Sequence, residues 1–402
     1  MLTRILNLPM FIAFCGLLCL GASTGLAQSS VGQFPKVFHD ATDVVALEEG
    51  QPVVKLLPTQ DKREVAVCGL VNLQVTADAF LKSFRESMVR RSNPAILEIG
   101  SFSSEPTLDD LQNLTFENRD IEDLKECVAG NCKLKLSAAM IERLHNEVDW
   151  AAPDYKVRAT QLLKLMFLDY VRDYLRRGDV ALIEYHDKPI GIRLAEEQQA
   201  LMAGSNSIYD GFLELPQNQK QRPESGVAIV DNKIVWSKIK YGLKPVIAIN
   251  HILIYTRDEN PGPQVLIVSK QIYANHYFDS SLALTAFGNI PGANSGSYLF
   301  YENRSRLDGL TGAFGKFKRG IVEDQAVDGL EAILEKSKVN LSSRALSPIE
   351  SGTNSNAGET LKRWLAGGIK LFLWLFLITA FVALLALSNY GWKGSTSGGV
   401  NH

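Results

Sequence analysis

Pro245-Val246-Ile247-Ala248-Ile249-Asn250-His251-Ile252-Leu253-Ile254-Tyr255-Thr256 is the stretch on which the fold turns. β-branched residues dominate it, and apolar side chains occupy both alternating positions of Val246 to Tyr255. Such a run reads as a strand covered on one side and either packed or lining a cavity on the other. Residues on either side repeat the signal at 226–239, 264–273 (QVLIVSKQIY), 279–287 (DSSLALTAF) and 296–306 (GSYLFYENRSR), with turn chemistry at Asp231-Asn232, Tyr241-Gly242, Asp258 to Pro263 and Gly288 to Gly296. Five strands in succession predict an antiparallel meander.

Around the meander the pattern is mixed, so the fold class is α+β. Upstream, Glu64 to Leu73 reads as a strand, and Thr76-Ala77-Asp78 opens an amphipathic helix carrying Phe80, Leu81, Phe84 and Met88. Ala95 to Phe102 reads as a second strand, and Thr107 in Pro106-Thr107-Leu108-Asp109-Asp110-Leu111 can cap a short helix. A helical block spans 135–178: Ser137 to Val148, then Asp154 to Arg177, where Val157, Leu162, Leu165, Leu168, Val171 and Leu175 recur at helical spacing and Gly178 supplies a left-handed stop. Val180 to Tyr185 reads as a strand, Glu196 to Met202 as a helix and Gln217 to Glu224 as a polar loop. Residues 28–60 show no sustained period and read as an extended lead-in. After the meander, Gly309, Gly312 and Gly315 make a tight strand-to-helix turn. A helix from Lys318 to about Lys338 then carries Ile321, Val322, Ala326, Leu330, Ile333 and Leu334 on one stripe, which must cover an apolar sheet face.

The ends address compartment. Leu371 to Leu387 is continuously apolar, flanked by Trp364 and Trp392, and predicts a transmembrane helix over 364–388. Met1 to Ala27 carries Arg4, an apolar stretch and small residues at Gly25-Leu26-Ala27, the pattern of a secretory signal. The expected organisation is an exported α+β domain over 61–341, a flexible linker over 342–363, the membrane helix and a short tail over 389–402. The main domain is then periplasmic on a single-pass inner-membrane anchor. Lys362, Arg363 and Lys370 on the outer flank against Lys393 alone on the inner run against the positive-inside bias, so the export signal has to set the orientation. Formal charge is −2 from 42 basic and 44 acidic residues, which gives no basic excess for nucleic acid. Beyond the leader there are three cysteines. Cys127-Val-Ala-Gly-Asn-Cys132 is the expected disulfide, its Gly-Asn turn bringing the two Cα atoms into range in an oxidising compartment, and Cys68 reads as a buried thiol.

No strong catalytic or metal motif is present, and no cofactor is implied. Gln271 to Ser281 is the densest cluster of functional side chains; Tyr273, His276 and Tyr277 are the candidate ligand-lining residues, since aromatic rings with a polar edge offer apolar area and a polar tip together. His276 with Asp279, Ser280 and Ser281 also contains the parts of a hydrolytic site. In Tyr301-Glu302-Asn303-Arg304-Ser305-Arg306, alternation puts Glu302, Arg304 and Arg306 on one face; the arginines either grip an anion or bridge to neighbouring strands. His39, His145, His186 and His251 form no metal-ligand spacing.

The order of elements, a strand and helix over Val65 to Met88, helical material, a long meander and one amphipathic helix over Gly309 to Lys338, resembles the helix-grip plan of START-like lipid-transfer and polyketide-cyclase domains. The resemblance covers about Glu64 to Leu341, and the block 135–178 departs from it as an insertion. It implies a sheet curled around the last helix with an apolar cavity between, and carries no catalytic residue. The function expected is binding of a hydrophobic or amphipathic ligand, such as a lipid, beside the membrane. The rival readings are an envelope scaffold that contacts another protein and a hydrolase using His276.

Overall fold

In the computed structural model the described residues are 36–38, 40–87, 95–205, 227–240, 244–257, 263–289, 296–312 and 314–345. In chain order the elements are α1 (Ala41–Glu48), β1 (Val53–Leu56), β2 (Glu64–Leu73), α2 (Ala77–Ser87), β3 (Ile96–Ser101), α3 (Asn118–Asp123), α4 (Ala138–Glu147), α5 (Tyr155–Arg177), β4 (Glu184–Tyr185), β5 (Ile192–Arg193), α6 (Leu194–Gly204), β6 (Val227–Ile239), β7 (Val246–Arg257), β8 (Pro263–Ala274), β9 (Phe278–Gly288), β10 (Ser297–Leu307) and α7 (Gly315–Ala345). The predicted leader over 1–27, the polar loop 217–224, the membrane run 364–388 and the linker beyond 345 lie outside the described residues; the linker's first residues, 342–345, belong to the last helix. Among the described residues no helix is long and apolar enough to cross a membrane.

The meander forms as read, and it closes on the N-terminal strand rather than ending at an edge. The sheet order is β1-β2-β10-β9-β8-β7-β6-β3, every neighbouring pair antiparallel. β10 therefore lies against β2, with Tyr301 opposite Gly69 and Ser305 opposite Val65. A separate two-stranded hairpin, β4-β5, caps the helical block.

Both faces of the sheet are covered. On one, Val65, Val67, Val71, Ala248, Ile252, Ile267, Ala283, Phe287 and Leu299 pack under Phe80 and Phe84 of α2 and Val322, Ala326, Leu330 and Leu334 of α7. Each large aliphatic side chain withdrawn from water here contributes roughly 1.5–3 kcal/mol. The approach of α7 is close: a Cβ on Gly69 would lie 2.6 Å from Leu334, so glycine lets the helix rest on β2. On the other face, α4 and α5 cover Ile234, Trp236, Ile247, Ile249 and Tyr273, while α1 and α6 cover Cys68, Leu70, Leu266, Leu282, Leu284 and Phe300. The alternating apolar positions of β7 are thus two packed faces.

Several local expectations need correction. The lead-in contains α1 and β1: Val44 and Leu47 are the inward residues of α1, and β1 pairs with β2, so the element is fixed by tertiary contact despite its weak period. Asp231-Asn232 is not a turn but lies inside β6, where the register shifts between Ile229 and Asp231 as at a bulge. The strand read at Val180 to Tyr185 shrinks to Glu184–Tyr185, because 178–181 form a 3-10 turn. The last helix begins at Gly315 rather than Lys318, with the Phe314 carbonyl accepting from the Lys318 N–H. Thr107 caps a 3-10 turn over Leu108–Leu111, with Asp110 completing a capping box.

Candidate functional site

The aromatic candidates separate. Tyr273, at the end of β8, is fully buried on the helical-block face. Its ring packs against Phe167 and Tyr185, and its hydroxyl donates to the Lys135 carbonyl at 3.0 Å. His276, in the β8–β9 connection, is buried with Nε2 3.0 Å from Asp120 Oδ2. Asp120 also meets Lys244 Nζ at 2.8 Å. Burial alone would raise the Asp120 carboxyl, but His276 and Lys244 outweigh it and hold it below the usual range. Tyr277 follows with φ +60°, a left-handed conformation uncommon for a bulky residue, and packs at the margin of the opposite face. Tyr273 and Tyr277 therefore do not line one pocket together. Among the described contacts of His276 there is no serine hydroxyl; its polar partner is Asp120.

Arg304 and Arg306 do share a face with Glu302, and both guanidinium groups are committed to carboxylates. Arg304 Nε meets Glu302 at 2.6 Å and its Nη1 meets Glu64 at 2.9 Å. Arg306 reaches Glu197 of α6 at 2.7 Å and Glu64 at 3.4 Å. A Cβ on Gly204 would sit 2.9 Å from Arg304 Nη1, so the end of α6 closes over the pair. Burial pushes the Glu302 carboxyl up despite Arg304. These arginines bridge elements, the second of the two readings of that row.

The network extends to residues that the sequence patterns do not single out. Arg63, just before β2, contacts Asp61 at 2.7 Å, Glu197 at 3.1 Å and Asp279 at 2.9 Å. Asp279 in turn accepts from the buried Lys135 ammonium at 2.9 Å, and Lys135 also faces Asp308 at 3.4 Å and Asp187 at 3.5 Å. Burial alone would depress the Lys135 ammonium, but Asp279, Asp308 and Asp187 hold it above its ordinary value. One cation thus fastens the segment before α4 to the hairpin approach and to the ends of β9 and β10. The expected disulfide is present: Cys127 and Cys132 are bonded with Cα atoms 4.5 Å apart, and Cys68 is free, buried and pushed up to about 12 by burial.

The face under α2 and α7 has a different polar feature. Ser281, Asn303 and Ser305 are buried on adjacent strands β9 and β10 and bond to one another: Ser281 Oγ to Ser305 Oγ at 3.0 Å, and Ser305 Oγ to Asn303 Oδ1 at 3.0 Å. Asn303 Nδ2 donates to the Leu282 carbonyl at 3.1 Å. Strand alternation places Ser269 and Thr285 on the same face, and Gln271 as well, whose buried Oε1 has no hydrogen-bond partner among the described residues. Hydroxyls and amides in an otherwise aliphatic and aromatic face are chemically able to orient the polar end of an apolar molecule. Among the described residues no group of three or more His, Cys, Asp or Glu is arranged to hold a metal ion.

No protein-family model matches the chain, and no curated protein or solved structure matches it.

Proposed function

We propose that the domain binds an amphipathic ligand between α7 and the sheet, with the ligand's polar group on the Ser281-Asn303-Ser305 cluster. The observation that carries the reading is that cluster: three buried, uncharged polar side chains on the face that α7 covers, where aliphatic packing alone would need none. The strand order adds support, since β2, α2, β3, the meander β6 to β10 and α7 follow the helix-grip plan once β1 and the helical block are set aside. That plan pairs a curved antiparallel sheet with a long C-terminal helix. Fold alone hosts many functions, so the weight rests on the polar cluster. The compartment belongs to the same proposal: an exported domain held beside a bilayer by the apolar run 371–387 has a lipid source next to it. The hydrolase reading draws less support: His276 pairs with a carboxylate, Asp120, but it is buried and no serine hydroxyl is among its described contacts.

Native mass spectrometry of the full-length chain, with organic extraction of what co-purifies, tests the reading. The expected result is a stoichiometric fatty acid, lysolipid or similar amphiphile that is retained at least tenfold less by Asn303→Leu combined with Ser305→Ala, at unchanged thermal midpoint. A protein that carries no amphiphile and takes none up from a panel of fatty acids and lysophospholipids overturns it and leaves the scaffold reading.

A further inference from the structure

The outer surface carries a second feature, independent of whether the interior holds a ligand. Phe314 is 72% exposed and Phe317 is 61% exposed, and they project from the first turn of α7 three residues apart. They sit in Phe314-Gly315-Lys316-Phe317-Lys318-Arg319, with Lys316 exposed between them and Lys318 half-buried beside them. Neither lysine is in an ion pair among the described residues, while Arg319 bonds the Lys62 carbonyl and so brings Lys62 to the same place. The nearby carboxylates are already met: Glu323 by Arg319 at 2.7 Å, and Asp308 by Lys135 and Lys188.

The same contacts join this turn to a further exposed apolar residue. Lys188 at 3.3 Å from Asp308 places the tip between β4 and β5 beside the β10–α7 connection, and Ile190 on that tip is 83% exposed. One end of the domain thus presents two phenylalanines and an isoleucine beside Lys62, Lys316 and Lys318, which are in no ion pair among the described residues, and beside Lys188, which is paired with Asp308. Interleaved large apolar and basic side chains suit a surface that is apolar below and anionic above.

We propose that this end docks on an anionic bilayer surface, with Phe314 and Phe317 entering the headgroup boundary and Lys62, Lys316 and Lys318 meeting lipid phosphates. The chain's geometry allows it. α7 has 31 residues and spans roughly 46 Å at 1.5 Å per residue. The 25 residues between Ala345 and Leu371 (346 to 370) reach up to about 80 Å when extended. The apolar run 371–387 can therefore enter the same membrane beside the far end of α7. Docking would hold the domain at a fixed orientation rather than on a free tether.

The test uses the full-length chain with an environment-sensitive thiol dye at Phe317→Cys, or at Val157→Cys on α5 as a control that is 57% exposed. With Cys15 and Cys19 changed to serine in every variant, the disulfide and the burial of Cys68 keep the remaining native cysteines from labelling. Vesicles are phosphatidylcholine alone or with one part in four phosphatidylglycerol, each carrying a spin-labelled quencher lipid. The expected result is a blue shift and quenching at 317 but not at 157, stronger with phosphatidylglycerol. Lys316→Glu with Lys318→Glu, read with the dye at 317, should weaken binding by more than tenfold, since each basic residue near such a surface contributes about fivefold. Absence of quenching at 317, equal quenching at 157, or indifference to lipid charge each overturns the proposal. A blue shift already present without vesicles and rising with protein concentration overturns it in favour of a second copy as the occupant.

Discussion

The two faces of the sheet are held by different physics. Under α2 and α7 the contact is aliphatic and aromatic, with Leu330, Ile333 and Leu334 fully buried and the polar cluster self-satisfied. Under α6 and the helical block, part of the contact is ionic, a chain of pairs from Arg304 through Glu64, Arg306, Glu197, Arg63 and Asp279 to Lys135. Area-driven contact tolerates sliding and repacking; a buried ion chain has one arrangement, because each member left alone is a desolvated charge. The ionic side therefore fixes where α6 and the segment before α4 sit against the sheet.

The largest expected effect comes from breaking the ion chain at its buried cation. Lys135→Met leaves Asp279, Asp187 and Asp308 facing one another without their ammonium. It should destabilise the fold by about 3–5 kcal/mol, read as a lower urea midpoint at unchanged slope. Adding Asp279→Asn should return part of that loss, because the remaining uncompensated charge is smaller; equal loss in the single and double variants would contradict the account.

On the other face, Leu330→Ala removes a fully buried side chain that packs over β2, with an expected cost of about 3 kcal/mol. The comparison sharpens with a pair. Leu330→Ala and Lys135→Met lie in separate clusters on opposite faces, so their effects should add within about 0.5 kcal/mol. Strong coupling between them would mean that the two faces do not act independently.

The contrast also explains what could be read in advance. The area-driven side was legible because its signal is local: apolar and branched residues in Glu64 to Leu73 mark β2, and a stripe at helical spacing from Ile321 to Leu334 marks α7. Of the ionic side only the row Glu302, Arg304 and Arg306 was legible, as one of two readings. Lys133-Leu134-Lys135-Leu136 looks like an exposed lysine alternation, yet Lys135 is buried by partners 52, 144 and 173 positions away, at Asp187, Asp279 and Asp308. Nothing within a short window distinguishes such a lysine from a solvated one. The polar cluster on β9 and β10 was half legible: Ser281, Asn303 and Ser305 lie within Gln271 to Ser281 and Tyr301 to Arg306, but a serine or asparagine in a short window carries no sign of whether it is buried.

His251 gives a pH probe of the helical-block contact. Its Nδ1 lies 2.8 Å from the Tyr174 hydroxyl and its Nε2 2.7 Å from Asn232 Oδ1, so a neutral ring accepts from one and donates to the other. Burial, aided by Lys270, lowers its pKa to about 4. A folded-state value below the unfolded ~6.5 means that the unfolded chain binds the proton more tightly. The associated stability is thus complete above about pH 6.5 and is lost as the pH falls toward 4, up to about 3 kcal/mol at 1.36 kcal/mol per unit. His251→Gln should flatten the dependence of the thermal midpoint on pH over that window, while Leu330→Ala should lower the midpoint without changing its slope.

The smallest effect tests how far the ionic side depends on its covalent staple. The Cys127–Cys132 loop sits directly on the hairpin approach, with the Gly130 N–H donating to the His186 carbonyl at 2.7 Å and the Cys132 N–H to the Asp187 carbonyl at 3.0 Å. Opening a loop this short gives the unfolded chain little freedom, so reduction should cost about 2 kcal/mol by loop entropy. The loop also holds the backbone of Asp187, one of the three carboxylates on Lys135. If the staple acts only through the unfolded chain, Cys127→Ser with Cys132→Ser should add to Lys135→Met. If it also positions Asp187, the combined loss should fall short of the sum, because the carboxylate's partner is already gone, and the shortfall measures how much of the ion chain's geometry the disulfide supplies.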